Sequence, residues 1–205
     1  GKGEQIYSVR FLGDIGYVVT FRQTDPLYRI DLSDPARPRV DGELKITGYS
    51  SYLHPVGEGR LLGVGQEATT EGRTTGMQVS LFDITGADPK RLGQVHVKGG
   101  SSDAEYDPHA FLYWPEGDLV VVPMRDYGDV EKPVYEPAGA LVLRVDGNRI
   151  ERVGVVRHPE GNAGSQTSDV RRSLVIGDTL WTVSRSGAQA NGLDGLERTG
   201  FVRFD

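Results

Sequence analysis

The 205 residues carry 23 Lys and Arg against 29 Asp and Glu, and the net charge of −6, with its bases scattered, excludes nucleic-acid binding through phosphates. The lack of Cys excludes disulfides, thiolate metal sites and a Cys nucleophile, and no stretch approaches the roughly 20 apolar residues a spanning helix needs. With 28 Gly and 11 Pro, and no window of helical apolar period, the composition points to many short strands joined by tight turns.

The first unit, 7–48, reads as four antiparallel strands. They are YSVRFLG at 7–13, the β-branched and aromatic run at 17–21, a strand at 27–32, and one at 40–46. Gly13 to Gly16 forms the first turn, and Ser33-Asp34-Pro35 another, in which Asp bonds the backbone ahead and Pro sets φ. The unit 49–102 repeats this order with an insertion at 66–76, read as a mobile loop or extended hairpin. The unit 104–161 repeats it again, with an insertion at 125–137 that carries Asp126, Asp129, Glu131 and Glu136. The last unit, 168–205, shows strands at 172–176 and 180–183, and Gly200 to Phe204 is predicted as its third, which leaves the unit without a fourth.

Equivalent positions Tyr17, Leu61, Leu119 and Leu180 are 44, 58 and 61 residues apart. Without the insertions the period is about 45 residues, the length of a four-stranded propeller blade. Such a sheet cannot bury both faces alone, and stacking supplies the core. The prediction is an all-β fold, a single β-propeller segment of four blade-like units with the last incomplete. It would be completed by the remainder of a larger propeller or by a second chain in a homodimer. The start, GKGEQ, reads as that of a processed segment.

The runs YSVRFLGDIGYVVTFRQTDPLYRIDLSDPARPRVDGELKITGYSSYLHP, GMQVSLFDIT, EYDPHAFLY and RRSLVIGDTLWTVSRSGAQANGLDGLE resemble the secreted bacterial and archaeal β-propeller domain distantly related to WD repeats. LYRIDLSDPARPRV also resembles the LVIVD repeat of cell-surface propellers. The resemblance implies an extracellular or cell-surface propeller larger than this segment, and it carries no catalytic residues to transfer.

Chemistry is sparse. None of the four His falls in a metal-binding pair, and His96 and His158 read as surface residues. His54 and His109 lie at or beside the first strands of their units, where Arg10 and Arg171 or Arg172 hold the comparable places. In a propeller the first strand lines the central channel, so these side chains would form a cationic mouth for a carboxylate, sulfate or phosphate; the bland alternative is that they bridge blades. Asp103, Glu105 and Asp107 alternate as on one side of an extended segment, and with Asp126 and Asp129 they are the candidate Ca²⁺ ligands, weighed against a solvated acidic loop. No other cofactor is indicated.

Ser101 or Ser102 with His109 and Asp107 can be drawn as a triad of low specificity, and no catalytic residue is assigned. Tyr49, Tyr52, Tyr106, Tyr113, Trp114, Tyr127 and Tyr135 cluster near first strands and long loops, where some suit a protein or glycan surface and the equal alternative is packing beneath the loops. Three readings follow. The first is a non-catalytic extracellular binding or scaffolding propeller. The second is a hydrolase or lyase acting on an anionic polysaccharide at the Arg/His mouth, and the third a Ca²⁺-stabilised structural module.

Overall fold

The computed structural model describes residues 3–21, 25–126, 138–159 and 168–204. The first sheet runs β1 (Gln5–Leu12), β2 (Ile15–Phe21), β3 (Asp25–Asp31) and β4 (Arg39–Ile46), each antiparallel to the next. The second runs β5 (Tyr49–Pro55), β6 (Arg60–Ala68), β7 (Thr74–Asp83) and β8 (Lys90–Lys98) in the same order. After the short β9 (Gly100–Ser101) comes the third sheet, β10 (Leu112–Trp114), β11 (Leu119–Asp126), β12 (Gly139–Asp146) and β13 (Arg149–Val156); β9 pairs the end of β11. The fourth is β14 (Arg172–Ile176), β15 (Thr179–Val183), β16 (Gly187–Gly192) and β17 (Arg198–Arg203).

The sheets group into two compact units, Gly1–Gly99 and Gly100–Asp205. In the first, Tyr17, Val19 and Leu27 of the first sheet meet Leu53, Leu61 and Phe82 of the second. In the other, Leu119, Val121 and Val142 of the third sheet meet Leu180 of the fourth and Val170 just before it. Each fully buried side chain of this size stabilises by about 1.5–3 kcal/mol. The β6 and β12 interiors are buried at successive positions, hence on both faces, which is why they read as nearly continuous apolar runs. Strand β14 instead alternates, with Leu174 and Ile176 exposed.

Two expectations are corrected or refined. The last sheet is complete: Arg198–Arg203 is its fourth strand, and the third is Gly187–Gly192, GAQANG. Ala, Asn and Gly have weak strand preference, so this run reads as a loop. Its neighbours' hydrogen bonds hold it extended, with Gln189 Nε2 donating to Asn191 Oδ1 at 3.0 Å and Asn191 Nδ2 to the carbonyl of Leu196 in the connection to β17 at 2.7 Å, while Gln189 Oε1 is buried with no partner among the described residues. The insertion at 66–76 is an extended β6–β7 hairpin closed by Thr69 N–H donating to the Arg73 carbonyl at 2.8 Å.

A repeat mark runs through all four sheets. Between the third and fourth strands the register slips at Arg29/Ile30, Leu81/Phe82, Val142/Leu143 and Ala190/Asn191. The extra residue is Asp41, Leu92, Val153 or Thr199, and each is followed by Gly: Gly42, Gly93, Gly154 and Gly200. This bulge sharpens the twist at one place in every sheet. At Gly42 an added Cβ would lie 1.8 Å from the Ala87 carbonyl oxygen, whereas at Gly200 it would meet nothing within 4 Å. Gly42→Ala should therefore cost about 1–3 kcal/mol by overpacking. Gly200→Ala should stay within about 0.5 kcal/mol. Urea unfolding of the two variants checks the contrast, and equal losses would refute it.

Candidate functional site

Ser102 to Phe111 builds one wall of an open cleft in the second unit. Glu105 Oε1 accepts from the Ser102 amide at 2.9 Å while Ser102 Oγ accepts from Ala104 N at 3.2 Å, a capping box that winds 103–105 into a 3-10 turn. Asp107 then caps a second turn by accepting from the His109 amide at 3.0 Å, with Pro108 at its first position. The two turns direct Asp103 and Asp107 to different partners. Asp103 accepts from Arg125 Nη2 at 3.0 Å and from the Tyr106 hydroxyl at 2.6 Å. Asp107 accepts from Arg172 Nη2 at 2.5 Å and lies 3.3 Å from His109 Nδ1. Burial works to raise the Asp107 pKa, but the His109 amide and Arg172 outweigh it and hold the carboxyl below its ordinary value.

The cleft has a volume of about 560 Å³, and four arginines line it: Arg125, Arg171, Arg172 and Arg185. Among the described residues Tyr106, Val183 and Ser184 also line it, with Asp103 and Asp107. Among the described residues, four guanidiniums thus share the lining with two carboxylates, both already paired. Arg171 Nε is buried with no hydrogen-bond partner among the described residues, and no ion pair there involves Arg171 or Arg185. Nearby Asp169 titrates above its ordinary value because burial penalises its charge, although Arg125 and Arg171 oppose that rise. A guanidinium with no ion-pair partner, lining a cleft, is a receptor for carboxylate, sulfate or phosphate oxygens.

The first unit holds Arg10, in β1, and His54, in β5. Tyr52 joins them: its hydroxyl lies 2.9 Å from His54 Nδ1. Burial and the adjacent Arg10 charge push the His54 pKa down to about 4.

Of the predicted mouth residues, then, Arg10 and His54 meet in one unit. In the other, His109 and Arg172 share Asp107, and Arg171 lies beside Arg172 in the cleft. His109 is 88% exposed and stands on a 3-10 turn, not a strand. The alternation expected of Asp103, Glu105 and Asp107 is not realised, because the segment is coiled into turns and each carboxylate has its own protein partner. Among the described residues no group of three or more acidic or His side chains is arranged to hold a metal. Asp126 ends β11, and Asp129 lies outside the described residues, as does most of its insertion. The drawn triad is not assembled: Ser102 is a cap and His109 points to solvent.

Sequence reasoning missed Arg125 and Arg185, and it misread His158. That side chain is 7% exposed, with Nδ1 2.8 Å from Ser184 Oγ and Nε2 2.8 Å from Thr182 Oγ1. Arg185 was within reach: the β14–β15 hairpin pairs Arg172 with Val183, so folding the strands about Gly177 brings Arg185 to the end that holds Arg171.

Comparison with known proteins decides the family. The chain matches the beta propeller domain family over residues 1–196. It belongs to that family. The propeller domain is 37% identical over 186 residues to an uncharacterised protein of Methanocaldococcus jannaschii, a match covering 90% of this chain and 26% of that one. It is 40% identical over 154 residues to an uncharacterised protein of Archaeoglobus fulgidus, covering 75% and 24%. The chain thus spans about a quarter of the length of these curated relatives. Among solved structures, Kuenenia stuttgartiensis hydrazine synthase shares the fold, with a TM-score of 0.53 at 13% identity over 89% of this chain and 50% of that one.

The half-buried His54 and the buried His158 make the propeller domain sensitive to acid. His54 binds its proton at about 4 when folded, against an ordinary 6.5, so the unfolded chain takes up more protons between these values. His158 is shifted in the same direction by burial. The contribution of His54 is complete above 6.5 and is lost as the pH falls towards about 4. Thermal melts across this window should show a falling midpoint, and His54→Gln should flatten the fall; an unchanged slope would rule out this assignment.

Proposed function

We propose that this propeller domain is a binding module outside the cytoplasm, and that the arginine-lined cleft of its second unit receives an anionic group of the ligand. One observation carries the reading: Arg171 presents a guanidinium with a buried, unpartnered Nε beside Arg185, while Asp103 and Asp107 are occupied by Arg125 and Arg172. Such a group loses its water without gaining a protein partner, which costs stability unless a ligand supplies the acceptor. The resemblance to secreted propellers supports the extracellular placement.

Hydrolysis is a second reading with its own observation. Ser184 lines the cleft and its hydroxyl meets the buried His158 imidazole, a nucleophile beside a base. It stands second because Ser184 Oγ also accepts from the Ser186 amide at 3.1 Å, and the residue is 4% exposed, as suits a clamp that ties the end of β13 to β15. Turnover of carboxylate esters abolished by Ser184→Ala would bring it to the front.

Calorimetric titration with sulfate and citrate tests the binding reading. The Arg171→Ala/Arg185→Ala variant should bind at least about tenfold more weakly, a difference of about 1.4 kcal/mol. Its melting temperature should fall less than that of Arg125→Ala, because neither guanidinium is in an ion pair among the described residues. Arg125→Ala should lower the melting temperature, since it strands the nearly buried Asp103 carboxylate. Equal affinities for parent and double variant would overturn the assignment.

A further inference from the structure

The cleft holds more than cations. Tyr106 stands on its wall, 74% exposed, an unusual state for an aromatic ring on a folded surface. The ring does not swing at random: its hydroxyl donates to Asp103 Oδ1 at 2.6 Å, and Asp103 is in turn held by Arg125. An exposed but anchored ring offers a flat apolar face, with little rotamer entropy left to lose on binding. Beside it the cleft offers donors of fixed charge in Arg171 and Arg185, and acceptors in the remaining lone pairs of Asp103 and Asp107.

That inventory constrains the ligand. A densely charged polyphosphate or sulfated polymer would use the arginines and offer no hydroxyl donors to the Asp103 and Asp107 carboxylates. A small inorganic anion would use the arginines and leave the ring and the carboxylates idle. A ligand matching all three features carries one carboxylate per unit for the arginines, hydroxyl donors for the aspartates, and a flat face of C–H groups for the ring. We infer that the cleft recognises a uronic-acid-bearing glycan, with Tyr106 as the platform under a sugar ring and Arg171 and Arg185 gripping its carboxylate. The inference rests on the cleft being the anion-binding site proposed above.

The experiment compares trigalacturonate, the matching neutral trigalactose, sulfate and a short poly-glutamate peptide on the parent chain, Tyr106→Ala, Tyr106→Phe and Arg171→Ala/Arg185→Ala. Trigalacturonate should bind at least tenfold more tightly than sulfate. Tyr106→Ala should weaken trigalacturonate at least fivefold and leave sulfate unchanged. Tyr106→Phe, which keeps the face and loses the anchor, should fall between. The double arginine variant should lose both ligands, and neutral trigalactose should bind far more weakly than its acidic counterpart. If sulfate binds through the arginines but trigalacturonate gains nothing and ignores Tyr106→Ala, the glycan inference fails and the anion site stands. Tighter binding of poly-glutamate replaces the glycan by an acidic polypeptide and overturns the inference. If no anion binds, the underlying reading fails too.

Discussion

A four-stranded antiparallel sheet has two faces, and in water at least one of them must be covered for the strands to stay together. Much else in this protein follows from that requirement. It pairs the first sheet with the second through Tyr17, Leu27, Leu61 and Phe82, and the third with the fourth through Leu119, Val142 and Leu180. It also explains the bulge before Gly42, Gly93, Gly154 and Gly200, where a local kink gives every sheet a matching twist. Where neighbours come close, the side chain has to shrink, and Gly42 under the Ala87 carbonyl is the sharpest case.

The cleft depends on the same packing. Strand β14 begins with Arg172 because Leu180, opposite Val175, is fastened into the core, and the register of that hairpin decides where Arg171 and Arg185 emerge. The wall opposite is set by two capped 3-10 turns whose carboxylates neutralise Arg125 and Arg172. Without Asp103 and Asp107, four guanidiniums would repel one another at close quarters. With both carboxylates in place, Arg171 and Arg185 are the lining arginines with no ion pair among the described residues. His158, clamped between Ser184 and Thr182, contributes by holding the end of β15 just before Arg185.

Much of the fold was legible because its strands are built from residues that favour strands. The runs around Val18, Leu62, Val121 and Val142 show both conformation and burial in their composition, and Gly13 and Gly177, each at positive φ, mark equivalent hairpins. The strand GAQANG was not legible, since its extended form is imposed from outside. Its signal lay one strand further on: RTG at 198–200 matches RLG at 91–93 and RVG at 152–154, the bulges of the earlier fourth strands. For the site, Arg10, His54, Arg171 and Arg172 were picked out by their place at the first strands. The partnerships were hidden, because an ion pair such as Arg172–Asp107 joins residues 65 positions apart.

The sequence by itself determined the architecture: its period, its strands and turns, and the family they announce are local properties, set by propensities and spacing within some 45 residues. Only the tertiary structure decided what each charged side chain does. Asp103, Glu105 and Asp107 read as one acidic cluster, and folding turned them into a counter-ion, a cap, and a counter-ion that also caps. Arg171 and Arg172 are adjacent in the chain, yet only Arg172 has a carboxylate partner among the described residues. Charge is written in the sequence, but its neutralisation depends on distances of a few ångströms between strands, and these exist only after the sheets have packed.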